Sequence, residues 1–87
     1  MEVSTATMRR YGSELVDGAI AAARKFEPFN SAHEGLAVIW EEFEELKAEV
    51  FKNQSAYDMK AMRKEAVQLG AMALRFLYDV GWEGEVV

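Results

Sequence analysis

The stretch Ser31–Val50, SAHEGLAVIWEEFEELKAEV, decides how the rest of this chain is read. Ser31 offers its hydroxyl to the backbone N–H three residues on, and Glu34 can reach back to the Ser31 N–H, the reciprocal capping box that opens a helix. Beyond it Leu36, Ile39, Trp40, Phe43, Leu46, Val50 and Phe51 form one apolar stripe at helical period. Between them sit Glu41, Glu42, Glu44, Glu45 and Glu49. Glu44 has Lys47 three positions downstream and Glu49 has Lys52, so each can form a helical ion pair. Glu41, Glu42 and Glu45 have no such lysine. They neighbour one another at i,i+4 and i,i+3, which costs a helix about 0.2–0.5 kcal/mol per pair, and they lie too far along to be helped by the helix dipole.

Working outward, Pro28 precedes this helix and disfavours the α conformation at Glu27, which ends a first helix there. Its apolar positions are Met8, Tyr11, Leu15, Ala19, Ala22 and Phe26, with Gly12 and Gly18 weakening it by up to about 1 kcal/mol each. After the polar break Asn53-Gln54-Ser55, a third helix is expected to start at Ser55 with Asp58 in the box position. Its stripe runs through Met59, Met62, Ala66, Leu69, Ala73, Phe76, Leu77 and Val80 to a closing Gly81. The fold class is therefore all-α: helices at about 5–26, 32–52 and 56–80 in a single domain, the last two an antiparallel hairpin joined by a short turn. Two stripes facing each other leave Trp40, Phe43 and the alanine-rich face of the third helix uncovered, which predicts a homo-oligomeric bundle, dimer or tetramer. Trp82, past the last helix, has no place in this periodicity.

Composition narrows the function. Of 87 residues, 15 are acidic and 10 are Lys or Arg, a net charge of −5. Residues 31–52 alone hold six acids against two lysines, so four of those five charges are concentrated there. No basic stripe offers itself to a nucleic-acid polymer. With no cysteine, disulfide scaffolds, zinc ribbons and thiol nucleophiles are excluded. No apolar run approaches the roughly 20 residues of a membrane span, and the first residues lack a signal-peptide core, so a cytoplasmic location with no membrane partner is expected.

The three unpaired glutamates point to a missing cation. Mg²⁺ takes oxygen ligands and needs neither the cysteine that is absent nor more than the single histidine present. The third helix adds Glu65 and Gln68 at i,i+3, and in an antiparallel hairpin Glu65 falls level with Glu41–Glu45. A solvated acidic face is the ordinary alternative for such a run. A di-iron carboxylate centre is excluded for want of a Glu-x-x-His step, as are the Gly-rich phosphate loop and the Ser/His/Asp triad.

Glu41-Glu42-Phe43-Glu44-Glu45, a helix–turn–helix spacer, then Glu65-Ala66-Val67-Gln68 resembles the EExxE…ExxD signature of the all-α nucleoside triphosphate pyrophosphohydrolases, the MazG-like and dimeric dUTPase-like superfamily. SAHEGLAVIWEEFEELKAEV and MRKEAVQLGAMALRFLYDV are similar to its small phage-type branch, and the likeness spans Ser31–Val80. The resemblance implies that Glu41, Glu42, Glu45 and Glu65, with Gln68 alongside, bind Mg²⁺, with Mn²⁺ as a substitute. The ions would hold a nucleoside triphosphate that is cleaved to a monophosphate and pyrophosphate. It also implies catalytic roles for the four glutamates, contact of His33 with the nucleotide, and a secondary position near the site for Asp79, which could equally pair with Arg75 four residues earlier. Gln68 departs from the motif Asp and removes one negative charge. Lys60, Arg63 and Lys64, just before Glu65, suit phosphate contacts or a solvated face. The competing readings are a non-catalytic helical interaction module with a degenerate site, and a structural homodimer whose glutamates confer solubility.

Overall fold

The computed structural model describes residues 2–52 and 57–81. Among them are three α-helices, α1 (Thr5–Lys25), α2 (Ala32–Lys52) and α3 (Tyr57–Phe76), the last running on into a π-helical turn at Leu77–Gly81, and no strand. The Ser55–Asp58 box and Trp82 fall on or depend on residues outside those described.

Local chemistry sets the helix ends. Ser4 caps α1, its hydroxyl accepting from the Thr7 N–H at 3.2 Å, and Arg24 and Lys25 sit at the negative end of the helix dipole. Ser31 caps α2 as its sequence position indicates, accepting from the Glu34 N–H at 3.0 Å. The return half of the box differs from expectation. The Glu34 carboxylate accepts from the Asn30 N–H at 2.8 Å and the Asn30 side-chain amide at 3.2 Å instead of from Ser31. It thereby ties down the residue before the cap.

The last helix in sequence is the middle one in space. α3 packs against both α2 and α1, whereas α1 and α2 hardly meet. Gly35 of α2 lies against Phe76, and Glu42 and Glu45 lie against Glu65, so α2 and α3 run antiparallel. Leu15 lies against Gly70 and Gly18 against Ala71, so α1 runs parallel to α3. The small residues let the backbones approach: a Cβ on Gly35 would meet the Phe76 ring at 2.6 Å and the Phe29 ring at 3.0 Å. The α1–α2 linker crosses the end of α3, where Arg75 and Asp79 catch it. Arg75 donates to the Glu27 carbonyl at 2.8 Å and to Asp79 at 3.2 Å, Asp79 accepts from the Phe29 N–H at 3.1 Å, and the guanidinium lies 4.2 Å from the Phe29 ring centre.

The core is small. Among the described residues Phe29, Ala71 and Met72 are the buried apolar side chains, flanked by half-buried Ala19, Ala22, Val38, Ile39, Phe76 and Val80. Here the stripe expected on α2 divides in two. Gly35, Val38, Ile39, Glu42, Leu46 and Glu49 form the less exposed face, whereas Leu36, Trp40, Phe43, Val50 and Phe51 are exposed. The helix is apolar on two sides, and α3 covers the one with smaller residues. The α3 stripe shifts likewise: Met59, Ala66, Ala73 and Leu77 are exposed, while Ala71, Met72 and Arg75 are buried because α3 has neighbours on two sides. No helix among the described residues is long and apolar enough to cross a membrane.

Candidate metal centre

The antiparallel α2–α3 pair brings three carboxylates from two helices together. One oxygen from each of Glu42, Glu45 and Glu65 lies within 4.8 Å of the others. Glu42 and Glu45 are one turn apart on α2, and Glu65 reaches them from α3. Glu42 and Glu65 are half-buried and Glu45 is exposed, so the cluster opens to solvent on one side.

Its electrostatics are those of crowded like charge. The Glu42 carboxyl is pushed up from 4.5 to about 7, first by burial, then by hydrogen bonding with and the charge of Glu45, then by the charges of Glu65 and Glu41. Glu42 Oε2 is buried with no hydrogen-bond partner. An orphaned carboxylate oxygen inside an all-oxygen cluster fits a hard divalent cation. Two ligands of one Mg²⁺ lie up to about 4.2 Å apart and two of one Ca²⁺ up to about 5.2 Å. Only one pair of three ligands can be so placed, and neighbouring ligands of Mg²⁺ lie about 3 Å apart, so seating the smaller ion would draw the three carboxylates closer together.

The sorting of the remaining α2 glutamates follows their lysines. Glu44 lies 4.0 Å from Lys47 and also accepts from Trp40 Nε1 at 3.1 Å, and Glu49 lies 3.8 Å from Lys52. Glu41 is exposed and does not share the close spacing of the three, although Glu42 feels its charge. Gln68 is exposed and lines a hollow of about 290 Å³ with Glu14, Lys60, Arg63, Lys64 and Val67, on the side of α3 that meets α1. Within it Arg63 lies 3.9 Å from Glu14 and 5.1 Å from the Tyr11 ring centre. The basic trio thus flanks Glu65 but faces α1 more than α2.

His33 and Asp79 occupy the other end of the pair. His33 is exposed in the first turn of α2, about 14 Å of helix rise from Glu42. Asp79 lies about 21 Å along α3 from Glu65, its side chain 3% exposed and committed to Arg75 and the Phe29 N–H. Of the two roles open to Asp79, the structure displays the pairing with Arg75. What sequence reasoning missed is that this pair anchors the interhelix linker. The sequence held no signal for it: Arg75 lies off the apolar stripe of the third helix, and its spacing to Asp79 is that of an ordinary surface pair. A separate groove of about 710 Å³ between α1 and the end of α3, walled by Val16, Ile20, Leu74, Leu77 and Tyr78, contains none of the candidate residues.

Comparison with models of known families, with curated proteins and with solved structures finds no match to this chain.

Proposed function

We propose that this chain is a Mg²⁺-dependent nucleoside triphosphate pyrophosphohydrolase, similar to the MazG-like enzymes, that acts in the cytoplasm as a homo-oligomer and releases a nucleoside monophosphate and pyrophosphate from NTPs or dNTPs. The observation that supports this reading is the close approach of Glu42, Glu45 and Glu65 from two helices, with Glu42 held protonated to about pH 7 by burial and its neighbours. Carboxylates that crowded are relieved by a divalent cation. Bound there, the ion would reverse the local sign, neutralise charge on a triphosphate and lower the pKa of an attacking water. Glu42, Glu45 and Glu65 would hold it and Glu41 adds charge from the rim, while Lys60, Arg63 and Lys64, which face α1, could meet only the part of a triphosphate that extends past Glu65 to that side of α3.

The test is pyrophosphate release from a panel of NTPs and dNTPs with and without Mg²⁺ or Mn²⁺. Glu45→Gln and Glu65→Gln should each reduce turnover to background, whereas Gln68→Asp should preserve or raise it. Undiminished turnover in both Gln variants overturns the assignment. A second reading, a non-catalytic helical oligomerisation module with a degenerate site, is favoured by Gln68 in place of the motif Asp and by the exposed apolar face of α2. Its signature is thermal stabilisation by metal without turnover.

A further inference from the structure

The outward face of α2 repeats at spacings of four, three, four and three: Leu36, Trp40, Phe43, Lys47, Val50. This is the a/d rhythm of a two-stranded coiled coil, with one charged residue in an otherwise apolar seam. Leu36, Trp40, Phe43 and Val50 are 53, 61, 49 and 39% exposed, and Phe51 beside them 75%. An aromatic side chain carries about 150–250 Å² of surface, so these five expose about 500 Å² per copy. Two copies joined there would remove about 1000 Å², the lower limit of a specific interface before any flanking group is counted. One copy alone buries only Phe29, Ala71 and Met72 among its described apolar side chains.

We propose that this seam joins two copies of the chain, α2 against α2, antiparallel about a twofold axis near Phe43. The charge chooses the direction. Parallel pairing would set Lys47 against its own counterpart in an apolar seam. Antiparallel pairing sets Lys47 beside the partner's Trp40, where an ammonium finds the face of an indole, places Leu36 opposite the partner's Val50, and lets Phe43 meet its counterpart on the axis. Glu44, 4.0 Å from Lys47 and bonded to Trp40 Nε1, accompanies the cation into the contact. Glu42 lies on the side of α2 turned to α3, so the seam leaves the carboxylate cluster open. The inference names the face and orientation of the assembly and stands whether or not the hydrolase reading does.

The absence of cysteine makes the test direct, since any introduced thiol is unique. Sedimentation of the full chain should give twice the chain mass at micromolar concentration, and Phe43→Glu should return it to one chain mass with its helix content retained. On oxidation, Leu36→Cys protein mixed with Val50→Cys protein should form the mixed disulfide, and Phe43→Cys should cross-link to itself. A wild-type monomer throughout that range, whatever other partner it has, overturns the proposal. So does a dimer in which Leu36→Cys and Val50→Cys each link to themselves, or one that cross-links at none of these positions. Should Phe43→Glu fail to fold, the wild-type mass and the cross-links decide.

Discussion

Glu42 registers the crowding of the cluster in its own titration. Below about pH 4.5 its carboxyl is protonated in the folded and unfolded chain alike. Between 4.5 and about 7 the unfolded chain gives up the proton while the folded chain keeps it, so folding is disfavoured as pH rises, and above 7 the penalty is complete. In the presence of a chelator the thermal midpoint should therefore fall across that window more steeply in wild type than in Glu42→Gln, and saturating Mg²⁺ should flatten the wild-type curve. Identical slopes for the two proteins would show that the cluster is not strained. Two glycines make an independent pair of tests. Gly35→Ala drives a methyl into the Phe76 and Phe29 rings and should cost about 1–3 kcal/mol by urea unfolding. Gly12→Ala meets nothing within 4 Å on α1 and should gain about 0.5–1 kcal/mol.

Elements were legible where they carry their own signals. Each helix announces its period, Ser31 marks the start of α2, and Pro28 stands in the linker that follows α1, so the expected spans 5–26 and 32–52 meet Thr5–Lys25 and Ala32–Lys52 closely. Antiparallel pairing of two such helices was enough to set Glu65 level with Glu42 and Glu45. Which face of α2 meets α3 was not legible, because both sides are apolar and the choice depends on the small profile of Gly35 against Phe76. Nor was the linker clamp, since Arg75 and Asp79 four residues apart look like any surface pair until burial makes them otherwise; their side chains are 5% and 3% exposed. Removing Asp79 leaves that guanidinium without its carboxylate and the Phe29 N–H without its acceptor. Asp79→Ala should cost about 3–5 kcal/mol in denaturant unfolding, far more than Glu44→Ala at the surface pair with Lys47, which should stay within about 1 kcal/mol of wild type.

At the scale of the whole molecule, a chain whose described residues bury only Phe29, Ala71 and Met72 among their apolar side chains should gain stability through mass action from the proposed pairing of two copies. Its thermal midpoint should rise with protein concentration, and that rise should vanish in Phe43→Glu; a midpoint independent of concentration in wild type would argue against assembly. The order of packing has another outcome. α1 and α2 dock on α3 and hardly on each other, yet α3 is the last of the three in the chain. During synthesis the first two helices leave the ribosome with no platform to settle on, and the unpartnered face of α2 is in the open from the start. Folding then waits for the C-terminal third to emerge, so a stalled or prematurely terminated product ending at Gln68 should lack a cooperative unfolding transition and depend on chaperones for its solubility.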